Sequence, residues 1–227
     1  MISLVVGRQG SGKTLFLVKK AHDFYLEGKT IYSNIKLNFP FKPINYNDIV
    51  NCTLRDAVVI IDEIHLLLSA RNCLSRRSRL IVDGFVSMVR KMGLEVLAST
   101  QTERKVDVRF REEKDFLYAC NKYAYINNSW QEVLHSQNLH KSIPIMVHLD
   151  IREEFSMNWI AMAFIGNPYF DLFDTTEVVK ITGLDDEGIS YKEKIMIDNK
   201  DKRMIADLKK KINKYKLINE EVKLLGI

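Results

Sequence analysis

The chain has 227 residues, of which 46% are hydrophobic and 28% are charged, and this composition predicts one well-filled globular domain with a small appendage. A formal net charge of +5 and an isoelectric point near 9.0 favour a polyanionic partner only weakly. The sequence contains no apolar run near the ~20 residues of a membrane-spanning helix and no basic leader ahead of an apolar stretch, so we expect neither a membrane span nor a secretory signal.

The first hundred residues alternate between strand-like and helix-like segments. ISLVV at 2–6 is apolar and rich in β-branched residues, which predicts a buried strand ending at Gly7. Residues 14–27 carry apolar side chains at helical spacing, and Gly28 is a suitable C-terminal stop. Similar patterns predict strands at 30–35, 57–62 and 94–100 and a helix at 79–92. Strands that alternate with helices predict an α/β fold with a mostly parallel central sheet flanked by helices.

The pattern changes in the second half of the chain. Residues 116–126 read as a further strand. Residues 143–151 and 158–166 read as two strands without a helix between them, which predicts an antiparallel hairpin extension. Residues 167–179 read as a loop or an extended passage.

The end of the chain has a composition of its own. From residue 201 onward, apolar residues recur near heptad spacing among many lysines, which predicts a terminal amphipathic helix. We therefore expect one domain over 1–180, hairpin included, and a helical tail over 181–227.

Residues 7–14, GRQGSGKT, match the pattern G-x-x-x-x-G-K-[ST] position by position. Glycines let successive backbone N–H groups turn toward an anion, and the N-terminus of the following helix adds its positive dipole end. The lysine of this pattern reaches the β- and γ-phosphates, and the hydroxyl that follows it can bind Mg²⁺. The alternative is a glycine-rich turn that binds nothing. The motif predicts a nucleoside triphosphate site formed by Gly7, Gln9, Gly10, Ser11, Gly12, Lys13 and Thr14.

Two adjacent acids end the apolar run VVIIDE. Asp62 can hold Mg²⁺ through water together with Thr14, and Glu63 can orient and deprotonate the water that attacks the γ-phosphate. The alternative for Asp62 is a helix cap. Gln101 ends the predicted strand at 94–100, where it can touch the γ-phosphate or the attacking water, although a polar loop residue is the plainer interpretation.

Four stretches together resemble the FtsK/HerA-type branch of the P-loop ATPases: GRQGSGKT, IYSNIKL, VVIIDEIHLLLSAR and RKMGLEVLASTQTERKVDVRFR. Within that branch the chain resembles virus genome-packaging ATPases and zonula-occludens-toxin-like proteins of filamentous phages. The resemblance covers about residues 1–180. It implies that an extra strand lies between the strand before the phosphate loop and the strand that carries the acids. It also implies a catalytic glutamate in the acid pair and an arginine finger donated to a neighbouring subunit, for which Arg111 is the first candidate and Arg109 the second, with Arg90 a further one.

A basic stretch after the acid pair, SARNCLSRRSR at 69–79, is the candidate for a loop that lines a DNA pore. Its arginines can contact phosphates without reading base sequence, or they form a solvated basic loop. The predicted DNA contacts are Arg71, Arg76, Arg77 and Arg79.

The resemblance implies an ATPase that moves double-stranded DNA, most simply into a viral capsid, with ATP and Mg²⁺ as cofactors. Implied partners are double-stranded DNA, further copies of the chain in a ring, and capsid or portal proteins. Cys52, Cys73 and Cys120 lack metal-ligand spacing, so we expect reduced thiols in a cytosolic protein. The resemblance implies that this is the host cytoplasm, with virion association as an alternative.

Other functions remain open on the sequence alone. A zonula-occludens-toxin-like phage assembly ATPase and a plasmid DNA-transfer ATPase share the same motifs. A nucleotide kinase also uses a phosphate loop but needs no water-activating glutamate, and a nucleotide-binding assembly protein would not hydrolyse ATP at all.

Overall fold

The computed structural model describes residues 1–45, 48–49, 51–68, 83–133, 143–155 and 158–173. They form a mixed sheet of nine strands with helices packed on it. The strands are β1 (Ile2–Val6), β2 (Thr30–Ser33), β3 (Lys42–Pro43), β4 (Ala57–Ile61), β5 (Glu95–Thr100), β6 (Phe116–Ile126), β7 (Ser129–Glu132), β8 (Ile145–Glu153) and β9 (Trp159–Ile165). The helices are α1 (Lys13–Leu26), α2 (83–88) and α3 (Val108–Glu112), with 3₁₀ turns at Ile64–Leu66, Glu103–Lys105 and Asn167–Leu172.

The sheet has the strand order β3-β2-β4-β5-β1-β6-β8-β9, and β7 pairs with the far end of β6. The pairings from β3 to β6 are parallel, whereas β6–β7, β6–β8 and β8–β9 are antiparallel. The strand β5 therefore lies between β1, which precedes the phosphate loop, and β4, which carries the acids. This confirms the extra strand that the resemblance implies.

Two apolar clusters fill the two faces of the sheet, which is why the central strands are apolar throughout. On one face Phe85 and Val89 cover alternate residues of β4, β5 and β1. On the other face α1 packs through Phe16 and Val18 against the opposite residues of the same strands and against β6 and β8. All five residues of β4 are buried, and this rigid central position holds the acids that follow it.

The expected α/β architecture is confirmed, and the predicted strands lie within two residues of those observed. One detail differs. Asn167–Leu172 forms a 3₁₀ helix with a proline in its first turn, where we expected a loop or extended chain. The predicted antiparallel hairpin is confirmed as β8 and β9, and it extends the central sheet because β8 pairs along nine residues of β6.

Several elements were not predicted, and some predicted elements lie on residues outside the described ranges. The two-residue strand β3, the exposed strand β7 and the five-residue helix α3 are too short or too polar to produce a periodic pattern. The C-terminal amphipathic helix, the tail over 181–227 and the first residues of the predicted helix at 79–92 lie outside the described residues. Within the described ranges, none of the helices is both long and apolar enough to cross a lipid bilayer.

Candidate nucleotide-binding site

Three polar segments meet at one edge of the sheet. The phosphate loop follows β1, Gln101 follows β5, and the pair Asp62–Glu63 follows β4. Because these strands are parallel neighbours in the order β4-β5-β1, their carboxyl ends open on the same edge. In open α/β sheets this edge is where ligands bind.

The phosphate loop turns sharply into α1 at Gly12. Gly12 has φ 93° and caps the helix, and a Cβ built on it would lie 2.9 Å from Val147 Cγ2. Only glycine fits this close, left-handed turn. Among the described residues no side chain caps α1, and its first turn contains no acid. The N-terminal amides and the positive dipole end of α1 are therefore available to an anion.

Lys13 lies inside the loop. Its side chain is 6% exposed, and Nζ donates to the carbonyl oxygens of Gly7 at 3.0 Å and Arg8 at 3.1 Å. The ammonium group thus occupies the concave side of the loop, where it can exchange these carbonyls for phosphate oxygens.

A hydrogen-bonded chain joins the loop to the acid pair. Thr14 Oγ1 donates to Asp62 Oδ2 at 2.9 Å, and Ser99 Oγ donates to Asp62 Oδ1. Asp62 is buried, with 6% exposure. Helix α1 and strand β5 thereby each place one hydroxyl on a different carboxylate oxygen of Asp62, which follows β4.

The backbone of the acid pair is held from both sides. The Asn34 amide donates to Asp62 O at 2.8 Å, and Asn34 Oδ1 accepts from Asp62 N at 2.7 Å. The Glu63 amide donates to Ser99 Oγ at 3.0 Å. Glu63 has φ 52° and ψ 52°, a left-handed conformation that is unusual for a non-glycine residue and that persists only when its surroundings hold it.

The Glu63 carboxylate points toward a polar neighbourhood. His65 Nδ1 lies 3.1 Å from Glu63 Oε2 and 3.4 Å from Thr100 Oγ1. Gln101, at the end of β5, accepts a hydrogen bond at its Oε1 from Lys105 Nζ at 2.9 Å. Glu63 and Gln101 therefore follow adjacent strands at the same edge as Lys13.

The pKa values of the two acids are shifted in opposite directions. Burial raises the pKa of Asp62, and the hydrogen bonds from Ser99 and Thr14 only partly offset this effect. Burial also acts to raise the pKa of Glu63, but the hydrogen bond and charge of His65, with the charges of Lys13 and Lys105, hold that pKa below its ordinary value. This lowered pKa favours the ionised form of Glu63, the form that a general base requires.

The residues fit a magnesium ion. The Thr14 hydroxyl and the Asp62 carboxylate contact each other, and oxygen donors are the ligands that Mg²⁺ prefers, completed by phosphate oxygens and water. A divalent cation would also supply the positive charge that the buried Asp62 otherwise lacks.

The two leading candidates for an arginine finger differ in their contacts. Arg109 Nη2 lies 2.7 Å from Asp107 Oδ2, and its Nη1 lies 3.0 Å from Asp83 Oδ1; these carboxylates raise its pKa. Arg111 makes no ion pair with any described residue, and its Nε is buried without a hydrogen-bond partner among them. The further candidate, Arg90, forms an ion pair with Asp115 at 2.9 Å. The predicted DNA contacts Arg71, Arg76, Arg77 and Arg79 lie outside the described residues.

Sequence reasoning missed three residues of the site: Asn34, Ser99 and His65. Asn34 directly follows β2, the neighbour of β4, and Ser99 lies on β5 beside β4. The available signal for Ser99 was a polar residue directly after the apolar run VLA of β5, near the carboxyl end of the strand. Asn34 lies within IYSNIKL, which supports the resemblance but shows no chemistry of its own.

Comparisons with known proteins support the fold. No protein-family profile matches the chain, and no curated protein matches it significantly. Among solved structures, the N-terminal domain of zonular occludens toxin from Neisseria meningitidis is 17% identical with a TM-score of 0.53, over 76% of this chain and 98% of that chain.

Two other solved structures are more distant. The genome packaging NTPase of Sulfolobus turreted icosahedral virus 2 in complex with ATP-gammaS is 14% identical, with a TM-score of 0.45, over 70% of this chain and 95% of that one. A DnaB-like replicative helicase is also 14% identical, with a TM-score of 0.47, over 71% of this chain and 54% of that one. The zonular occludens toxin domain and the strand order together show that this chain has the fold of the P-loop NTPases.

Proposed function

We propose that this protein hydrolyses ATP, with Glu63 as the base that activates water. The observation that carries the proposal is the connection between phosphate loop and acid pair: Thr14 bonds to Asp62, and Glu63 follows in a conformation held by Ser99. A loop that only turned a strand into a helix would need neither this connection nor a strained glutamate.

Each residue has one task in this scheme. The loop amides and Lys13 bind and orient the β- and γ-phosphates, and Thr14 and Asp62 hold Mg²⁺, which neutralises charge that develops on the phosphates. Glu63 takes the proton of the attacking water at its carboxylate, and Gln101 orients that water or the γ-phosphate. Against the effect of burial, the hydrogen bond and charge of His65 help to hold the pKa of Glu63 below its ordinary value.

We further propose that hydrolysis drives movement of double-stranded DNA, most simply into a viral capsid, by a ring of identical subunits in the host cytoplasm. The resemblance of four sequence stretches to FtsK/HerA-type translocases supports this step. In such a ring Arg111 is the finger we favour over Arg109, because Arg109 is already paired with two carboxylates within its own chain. Arg71, Arg76, Arg77 and Arg79 would line the DNA path.

The test is phosphate release by the purified protein with and without duplex DNA, with its oligomeric state measured on the same sample. We expect DNA to stimulate release, and Glu63→Gln to lower the rate about 10²- to 10⁴-fold while ATP still binds. Glu27→Gln, at an exposed acid that caps the C-terminus of α1, is the matched control and should behave as wild type. An assembled wild-type protein that releases no phosphate with any polynucleotide would refute hydrolysis.

A second candidate is an ATPase of phage assembly like the zonula-occludens-toxin proteins, or one of plasmid transfer. It is favoured by the toxin domain from Neisseria meningitidis, of which the alignment covers 98%. Stimulation by single-stranded DNA and not by duplex DNA would favour this candidate over capsid packaging.

A further inference from the structure

Strand β6 extends past the phosphate loop. Its parallel pairing with β1 ends at Val6–Ala119, whereas β6 itself continues to Ile126. Side chains alternate along a strand, so Cys120 and Lys122 face the same side. That side is the α1 side, because Cys120 belongs to the cluster around Phe16.

Lys122 stands next to the N-terminus of α1. Cys120 Sγ donates to Ser11 O at 3.1 Å, so this face of β6 touches the loop directly. Lys122 lies one side-chain repeat further out, about 7 Å along the strand. It pairs in register with Val147, whose Cγ2 would lie 2.9 Å from a Cβ at Gly12. Directly paired residues have Cβ atoms about 5 Å apart, so Gly12 is within reach of the Lys122 side chain.

Lys122 is buried without a counter-charge among the described residues. It is 6% exposed, yet it forms no ion pair or side-chain hydrogen bond with any of them. Its neighbour Cys120 supplies no negative charge, because burial raises the pKa of that thiol to about 12. Burial correspondingly lowers the pKa of Lys122. Buried charges are normally paired, so we infer that Lys122 takes an anionic partner that is not among the described residues.

Lys114 shows the ordinary arrangement. It is also 6% exposed, but its Nζ lies 2.8 Å from Glu103 Oε1 and 2.8 Å from Glu154 Oε1. Of these two equally buried lysines, Lys122 is the one without an ion-pair partner among the described residues.

We propose that Lys122 binds the nucleotide at its α-phosphate and is a second cationic contact of the site besides Lys13. The acids and Gln101 lie on the β4 and β5 side of β1, where the γ-phosphate must meet the water. Lys122 lies on the opposite, β6 side of β1. It therefore faces the end of the phosphate chain that leads to the ribose. This inference rests on the proposed nucleotide site, but not on hydrolysis or on DNA.

The test is calorimetric titration of Lys122→Met with ADP and with the non-hydrolysable analogue adenosine 5′-(β,γ-methylene)triphosphate, each with Mg²⁺. Loss of a charge-assisted hydrogen bond should weaken both ligands equally, by about 10- to 100-fold, because both contain the α-phosphate. The apo protein should melt at the wild-type temperature or above it, since Lys122 forms no ion pair or side-chain hydrogen bond with any described residue.

Lys114→Met is the matched control. It should melt at a lower temperature, because Glu103 and Glu154 lose their shared partner, while both nucleotides bind with wild-type affinity.

Three results would overturn the proposal: unchanged affinity of Lys122→Met for both ligands, weakening of the triphosphate analogue alone, or failure of both Lys122→Met and Lys122→Gln to fold. A wild-type protein that binds neither ligand would overturn the nucleotide site as well. Wild-type binding with no effect of Lys122→Met would overturn this inference alone.

Discussion

Asn34 contacts the main chain of Asp62 through both ends of its side-chain amide, at 2.8 Å and 2.7 Å. The amide thus replaces the strand neighbour that β4 loses where β2 ends. Asn34 is 8% exposed, so water cannot take over these bonds. In the proposed hydrolysis Asn34 would be a positioning residue, because it contacts the main chain of Asp62 and would reach the attacking water only through Asp62 and Glu63.

We expect Asn34→Ala to lower the free energy of unfolding by about 2–4 kcal/mol, because a buried N–H and a buried C=O both lose their partner. The rate of ATP hydrolysis at saturation should fall about 10- to 100-fold, since Glu63 is no longer held in place. ATP affinity should change little, because the phosphate loop is untouched. Urea unfolding, calorimetry and steady-state kinetics measure the three quantities.

Asn38→Ala is the control for this prediction. Asn38 also donates one side-chain hydrogen bond, to Asp171 O at 2.6 Å, but at an exposed position. Asn38→Ala should lower the free energy of unfolding by less than about 1 kcal/mol and leave the hydrolysis rate unchanged. An Asn34→Ala protein with the wild-type maximal rate would contradict the positioning role.

Residues of the site were predictable where their chemistry lies in a local pattern. Lys13, Thr14, Asp62 and Glu63 belong to contiguous motifs, so the sequence identifies them. Asn34 and Ser99 contact the acid pair across 28 and 36 or 37 positions of the chain, and no local pattern reports such contacts. Their roles depend on the strand order, which only the fold reveals.

At the scale of elements, the junction between the phosphate loop and α1 depends on its contact with β8. Gly12 has φ +93° and lies against Val147, so Gly12→Ala has to accept a left-handed backbone and displace a buried side chain. We expect it to lower the free energy of unfolding by about 2–5 kcal/mol, from about 1–2 for the backbone and 1–3 for overpacking. ATP binding should weaken as the loop shifts, which calorimetry would detect.

Substitution of Gly28 separates the backbone cost of a left-handed residue from the cost of overpacking. Gly28 ends α1 with φ +82°, and a Cβ there would meet nothing within 4 Å. Gly28→Ala should therefore cost only about 1–2 kcal/mol and leave ATP affinity unchanged. Equal losses of stability for the two variants in urea would mean that Val147 does not constrain the loop.

Strands that are buried on both faces can be predicted from the sequence alone. AVVII in β4 and LVV in β1 have an apolar side chain at every position, and this pattern marks a central strand regardless of its partners. β7 is exposed along its whole length and forms only because β6 offers it an edge. Burial against the rest of the molecule, and not local preference, decides such elements.

At the scale of the whole molecule, alternation of strands and helices predicts a parallel sheet but not the order of its strands. The position of β5 between β1 and β4 was expected only from the resemblance to the FtsK/HerA-type ATPases, and the structure confirms it. Hydrophobic patterns report which faces are buried, whereas strand order depends on contacts between segments that are distant in sequence. The continuation of the sheet through β8 and β9 has the same origin.

Because the site draws on segments from residue 7 to residue 101, nucleotide should stabilise the whole domain and not only the loop. A ligand at 100 times its dissociation constant, bound only by the native state, adds about 2.7 kcal/mol to the free energy of unfolding. For a domain of this size that raises the melting temperature by about 5–10 °C. Lys13→Met should lose this ligand-induced shift, whereas Lys20→Met, further along α1, should keep it. The quantity compared is the rise in melting temperature on adding Mg²⁺ and ADP, and not the melting temperature itself. Lys13 also donates hydrogen bonds to the loop carbonyls, so its loss alters the stability of the apo protein. An equal shift in wild type and Lys13→Met would mean that nucleotide binds somewhere other than this loop.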